Sequence, residues 1–192
     1  MGSNPLEGLL EPMEFEHDPS SRKKKGAHCP VFAEVFQLTG ESVDLPKKVH
    51  LLVNPFSGKK KGRAVARRVI ELVKEAGVEI QSSYSAYSGH LVTMASALVV
   101  GKNEVIAVVG GDGSLSEAIT GRMLLGKKGK ETFAIIPAGT GNSHAHDLKL
   151  SSVEQAVEAM LRGRRHALDL ARVELTEGLP GATGEPMVRY SH

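Results

Sequence analysis

The chain is 192 residues long, 41% apolar, 24% charged and only 4% aromatic, with a formal net charge of +2. That length holds one sizeable core with some tail left over, and the weak charge and scarce aromatics exclude a nucleic-acid partner held by bulk charge or base stacking. The single cysteine, Cys29, excludes a disulfide framework and a Cys-rich zinc site, no apolar run reaches the length of a membrane span, and the polar N-terminus lacks a secretory signal, so a cytoplasmic setting is expected.

Residues 1–30 mix Pro, Ser, Gly and charge and read as a disordered arm, whose cluster Arg22-Lys23-Lys24-Lys25 is a solvated tail or, alternatively, a contact for anionic lipid at a membrane periphery. Residues 31–46 form a lead-in with some strand character and no chemistry. Residues 47–177 carry the strong patterning. Val49 to Val53 predicts a strand, bounded by Pro46 and by Asn54-Pro55. Val65, Val69, Leu72, Val73 and Ala76 fall at helical spacing within 62–76, and Gly77 stops that helix. A strand over 78–84, a helix over 90–100, a strand over 105–109 and a helix over 115–125 come next. Phe133 to Ile136 predicts a fourth strand, ended by Pro137. Ser151 and Glu154 make a capping-box pattern ahead of a helix closed by Gly163, and 168–175 is a last strand. Residues 178–192 read as a turn-rich connection.

This alternation predicts an α/β fold: three layers, doubly wound, with a mostly parallel sheet covered by helices on both faces. Ligands of such sheets collect outside the carboxyl ends of the strands, and all three unusual loops lie at strand ends. The first is Asn54-Pro55-Phe56-Ser57-Gly58-Lys59-Lys60-Lys61-Gly62, with Ser57, Gly58 and a helix N-terminus for phosphate oxygens and lysines for charge; the GxxxxGK[ST] spacing is absent. The second is Gly110-Gly111-Asp112-Gly113-Ser114. Its glycines remove bulk where backbone N–H groups point outward, and its lone carboxylate is placed to approach a metal ion or a reacting hydroxyl. The third is Pro137-Ala138-Gly139-Thr140-Gly141-Asn142-Ser143. Neither of the last two matches GxGxxG, so a dinucleotide fold of that kind is disfavoured. Convergence of the three on one sheet edge points to a nucleotide site. His144 and His146, two apart on a helix, face different sides and do not chelate together, so no metal ligand is assigned.

NPFSGKKKG, GGDGSLSEAITG and PAGTGNSHAHDL, in this order and spacing, resemble the catalytic domain of the diacylglycerol kinase and sphingosine kinase superfamily, over about Lys47 to Leu175. GGDG alone is shared with NAD kinases and 6-phosphofructokinases. The DGxLxExxxG continuation and the PAGTGN loop look like the lipid-kinase branch, and GTGNSHAHDL looks sphingosine-kinase-like.

The resemblance implies phosphoryl transfer from ATP, with Mg²⁺, to the hydroxyl of a sphingoid base or diacylglycerol at a membrane surface. It implies Asp112 as catalytic base. It places Asn54, Ser57, Gly58 and Lys59 near the nucleotide phosphates, Ser88, Gly89 and His90 beside the nucleotide, and Gly110, Gly111 and Gly113 at the reaction centre. Glu117 matches a nucleotide-contacting carboxylate, and Gly139, Thr140, Gly141 and Asn142 line the other side. The family also has a β-sandwich domain that completes the lipid pocket. The chain ends at Tyr190-Ser191-His192, where that domain would be starting, so poor lipid binding by this stretch is expected. An NAD-kinase-like enzyme of a soluble substrate and a non-catalytic nucleotide-binding or membrane-recruitment module are the alternatives.

Overall fold

A computed structural model describes residues 45–126, 131–139, 141–163, 165, 167–175 and 187–191. The arm at 1–30 with Arg22 to Lys25, most of the lead-in, Thr140 and much of the 178–192 connection lie outside the described residues.

Four parallel strands, β1 (Lys48–Val53), β2 (Glu79–Tyr84), β3 (Glu104–Gly110) and β4 (Thr132–Pro137), form one sheet in the order β2-β1-β3-β4. β1 and β3 occupy its middle and are buried along nearly their whole length, as expected of parallel strands covered on both faces. On one face Val49, Leu51, Val53, Val105, Ala107 and Val109 pack against α1 (Gly62–Glu75) and α5 (Val153–Leu161). On the other, Leu52, Ile106 and Val108 meet α2 (His90–Ser96), α3 (Asp112–Leu124) and Ala145 of the short α4 (Ser143–Asp147). Burial alternates along each middle strand between the two clusters, which is the doubly wound arrangement that the alternation of elements predicts.

Register positions the site. Val53 lies beside both Tyr84 and Val109, Val109 beside Ile136, and Gly110 beside Pro137. The four strands therefore end nearly level, and their carboxyl-end loops emerge together.

Several boundaries differ from the sequence reading. α2 stops at Ser96 rather than Val100, because the Arg122 guanidinium takes the carbonyls of Ala95 and Leu98 at 2.9 and 2.7 Å and so satisfies the helix end. α3 opens at Asp112, three residues before the predicted Leu115, so Asp112 and Gly113 belong to its first turn. The cap of α5 is Ser152, not Ser151: its hydroxyl accepts from the Gln155 N–H at 3.2 Å, while the Gln155 side chain accepts from the Ser151 N–H. The last predicted strand shortens to β5 (Ala171–Leu175), leaving Leu168 half exposed. It pairs antiparallel with β6 (Met187–Ser191), a segment read from sequence as connection. β6 docks on α3 through backbone groups: Ser116 Oγ donates to the Tyr190 carbonyl at 2.6 Å and the Tyr190 N–H donates to Thr120 Oγ1 at 3.0 Å.

Candidate functional site at the carboxyl edge of the sheet

β1 runs into Asn54-Pro55, and the Asn54 side chain organises the first loop. Its Oδ1 accepts the Phe56 N–H at 3.0 Å, an Asx turn, while the Asn54 carbonyl accepts the Ser57 hydroxyl at 2.8 Å. Its Nδ2 donates to Ser114 Oγ at 3.0 Å, in the first turn of α3. The chain then makes a left-handed turn, with φ of 55°, 58° and 68° at Gly58, Lys59 and Lys60. This turn separates Ser57 from the start of α1 at Gly62. Two non-glycine residues in that conformation cost about 1–2 kcal/mol each, strain of the kind that collects at functional loops. Contact with the third loop holds the turn: a Cβ on Gly58 would lie 1.9 Å from the Ala138 carbonyl oxygen. Lys59, Lys60 and Lys61 stay exposed along the rim.

β3 ends at Gly110, and Gly111 is an extended residue leading into α3, whose N-terminus has no side-chain cap. The Gly111 carbonyl accepts the Ser114 and Leu115 N–H groups at 3.0 and 3.2 Å. Asp112 uses both carboxylate oxygens: Oδ2 accepts the Ser143 N–H at 3.0 Å and Oδ1 accepts the His144 N–H at 3.2 Å. The carboxylate of the second loop thus anchors the N-terminus of α4, beyond the third. One helical turn on, Glu117 Oε1 accepts the Gly89 N–H at 3.1 Å and ties in the loop after β2.

The third loop extends the β3–β4 pairing through Ala138 N–H to the Gly110 carbonyl at 3.0 Å. Asn142 then closes it on itself, accepting from Gly139 N–H at 3.1 Å and donating to the Gly139 carbonyl at 2.8 Å. A Cβ on Gly139 would stand 2.8 Å from Gly111 Cα, so only glycine lets these two loops touch.

The expected residues therefore come together by direct contact in three groups. Asn54, Ser57 and Gly58 meet α3 and the third loop. Gly111 meets Gly139 and Asn142, Gly110 accepts the Ala138 N–H, and Asp112 holds Ser143 and His144, while Gly113 borders open space. Gly89 joins through Glu117, with Ser88 exposed at the tip and His90 Nδ1 accepting the Ala86 N–H. Gly141 borders open space, and Lys59 sits on the rim. Two participants were not singled out from sequence. Ser114, buried beneath Asn54, lies inside the GGDGS run, and Tyr87, whose ring stacks on His90, precedes Ser88. The signal for Tyr87 was an aromatic at a strand end in a chain with few. Among the described residues no cluster of three or more His, Cys, Asp or Glu makes a ready metal cage; His144 is half-buried and His146 exposed.

Residues 48–173 match the family described as diacylglycerol kinase catalytic domain. Over 133 residues the chain is 32% identical to sphingosine kinase B of Dictyostelium discoideum, covering 67% of this chain and 17% of that protein. It is 30% identical to sphingosine kinase 1 of Arabidopsis thaliana, covering 69% of this chain and 29% of that protein. The crystal structure of a diacylglycerol kinase from Bacillus anthracis str. Sterne superposes with a TM-score of 0.53 at 22% identity, covering 69% of this chain and 46% of that one; this likeness is one of fold. The chain thus spans less than a third of each of these two curated relatives.

Proposed function

Because this chain belongs to the diacylglycerol kinase catalytic domain family, we propose that it is the nucleotide-binding part of an ATP-dependent lipid kinase acting on the hydroxyl of a sphingoid base or diacylglycerol at a membrane surface. The observation that carries this reading is the interlocking of three glycine-bearing loops, at the level ends of β1, β3 and β4, around the uncapped N-terminus of α3. A helix N-terminus with free amides favours phosphate oxygens. The Ser57-Gly58-Lys59 turn and the lysines beside it supply further donors and positive charge, and Gly139, Gly141 and Asn142 bound the other side.

Phosphoryl transfer needs positioning and charge neutralisation more than covalent help from the protein. The acceptor hydroxyl oxygen forms a bond to the γ-phosphorus, the bond to the β–γ bridging oxygen breaks, and ADP leaves. Asp112 takes the hydroxyl proton. Its bonds to the Ser143 and His144 amides orient the carboxylate and leave it further lone pairs for that proton. Mg²⁺ prefers oxygen ligands, so the Glu117 carboxylate is the fitting protein donor beside phosphate and water oxygens, and the ion would supply neutralisation of phosphate charge. The GTGNSHAHDL form of the third loop and the likeness to two sphingosine kinases favour a sphingoid base as acceptor.

The test is transfer of radiolabelled γ-phosphate from ATP to sphingosine or diacylglycerol in mixed micelles, by the protein carrying residues 48–173. Labelled lipid that disappears with Asp112→Asn is expected. ATP binding without transfer to either lipid would overturn the lipid-kinase reading and leave a nucleotide-binding module.

A further inference from the structure

The outer side of β4 carries an apolar groove that the site does not use. β4 closes one edge of the sheet, since the strand order β2-β1-β3-β4 gives it a single neighbour. Thr132, Phe133, Ala134 and Ile135 all line the groove, together with Leu148, Leu150 and Met160. Successive strand residues point to opposite faces, so a groove lined by four in a row runs along the strand's edge rather than over one face. Phe133, Ala134, Leu148 and Leu150 are only half-buried there. Among the described residues, no backbone group outside the sheet bonds to Thr132–Ile136. Such an edge offers backbone N–H and C=O groups as well as apolar surface, and both are what one more strand would take up.

The groove lies where the described chain begins. Pro46 and Asn103 line it too, and Asn103 pins the entering chain: its Nδ2 donates to the Leu45 carbonyl at 3.2 Å, and its carbonyl accepts the Lys47 N–H at 2.8 Å. The 44 residues before Leu45 therefore lead away from the groove's mouth. Their densest apolar run is Val31 to Leu38, where six of eight residues are apolar, the pattern of a strand covered on both faces. The link 39–44 reaches about 20 Å. The amino ends of β1, β3 and β4 are level, with Lys48 beside Glu104 and Val105 beside Thr132, so β4 begins about 10 Å from β1, two strand spacings. An antiparallel run beside β4 ends at that point, within reach of the link. A parallel run ends about 20 Å further along the strand, beyond it. We propose that residues 31–38 lie along β4 as an antiparallel edge strand, with Phe32 and Phe36, four apart and so on one face, packed against the groove.

The chain has no tryptophan, so Phe36→Trp in the full chain reports on position 36 alone. Its emission should be that of a buried indole at every protein concentration. Adding Ala159→Glu, which places a charge on the half-buried α5 wall of the groove, should move it to that of an exposed indole. Hydrogen exchange of a second variant leaves the groove itself intact: Phe32→Ser with Phe36→Ser should speed exchange of the amides over Thr132–Ile135 and leave β1 and β3 unchanged. If Ala159→Glu does not fold, the serine pair decides. An exposed indole in Phe36→Trp, a buried one indifferent to a folded Ala159→Glu, or unchanged β4 exchange in the serine pair overturns the proposal. Burial of the indole that develops only as concentration rises would put the segment of a second copy in the groove, and overturns it as well.

Discussion

The Asn54 amide donates to the buried Ser114 hydroxyl at 3.0 Å, joining the end of β1 to the first turn of α3 across 60 residues of sequence. Asn54 also holds the Phe56 N–H, so its side chain sets the shape of one loop and the position of another. Asn54→Ala leaves partly buried donors unmet and should cost about 1–3 kcal/mol. Combined with Ser114→Ala in a urea-unfolding double-mutant cycle, a coupling of about 0.5–3 kcal/mol is expected. Strictly additive single effects would show that the two side chains do not act together.

Two glycines of the site should respond oppositely to a methyl group. At Gly139 an added Cβ meets Gly111 Cα at 2.8 Å and Asn142 Oδ1 at 3.0 Å. Gly139→Ala therefore pushes the second and third loops apart, lowering stability by about 1–3 kcal/mol and weakening nucleotide binding. At Gly113, inside the first turn of α3, a Cβ meets nothing within 4 Å. Gly113→Ala should leave the melting temperature unchanged or raise it, since alanine is the better helix former by up to about 1 kcal/mol. A larger loss of stability at Gly113 than at Gly139 would contradict the loop contact.

Asp112→Asn separates two duties of one carboxylate. The amide replaces one acceptor oxygen with a donor that faces the Ser143 or His144 N–H. The charge-assisted anchor of α4 weakens, and stability falls by about 1–2 kcal/mol in thermal melts. Nucleotide affinity should stay within a few-fold. Turnover in the full-length protein should drop by roughly 100-fold or more, the scale for a positioned acid–base group. An Asn variant as active as the parent would move the proton acceptor elsewhere.

At the opposite end of the sheet, Glu104 accepts the Gly101 N–H at 2.9 Å and lies 2.7 Å from Nε2 of the buried His50. The Gly101 amide first, then His50, hold the Glu104 carboxyl below its ordinary range, with Lys48 adding a weaker attraction. A carboxylate lowered on folding contributes stability that is complete above the unfolded value, near about pH 4.3, and is lost as pH falls through the folded value. Glu104→Gln should therefore be less stable than the parent at neutral pH, and the gap should narrow as pH falls below about 4. A gap in denaturation midpoints that stays constant as pH falls from neutral through the carboxyl range would assign the difference to packing.

Arg122 is 2% exposed, and its guanidinium is shared between the Glu131 carboxylate and the carbonyls that end α2. Arg122→Ala strands a largely buried carboxylate and two carbonyls, and should cost about 3–5 kcal/mol in chemical denaturation. Adding Glu131→Gln removes the orphaned charge and should recover part of that. A loss under about 1 kcal/mol, the scale of an exposed pair, would mean that water replaces the guanidinium.

Much of the fold was legible because its signals are local. Val49 to Val53 and Val105 to Val109 are runs that only a strand buried on both faces uses, and Gly77 stops α1 where a residue with φ of 75° is needed. The site glycines and Asp112 were legible for a similar reason: each interrupts an apolar pattern at a strand end. The early stop of α2 was not, because the groups that end it belong to Arg122, 24 and 27 residues away. Nor was the pairing of Met187–Ser191 with Ala171–Leu175, whose partners lie across a Gly- and Pro-rich stretch.

By itself, then, the sequence determined the order and type of the main elements and the three glycine-bearing loops at strand ends, since periodicity, β-branching and glycine placement act within a few residues. Tertiary structure alone decided which loops touch. Parallel register brings the ends of β1, β3 and β4 level, so Gly58 meets Ala138, Gly111 meets Gly139, and Asp112 meets the start of α4. Those contacts depend on the spacing between strands and on the absence of a side chain at one atom. Neither is a property of any segment read alone.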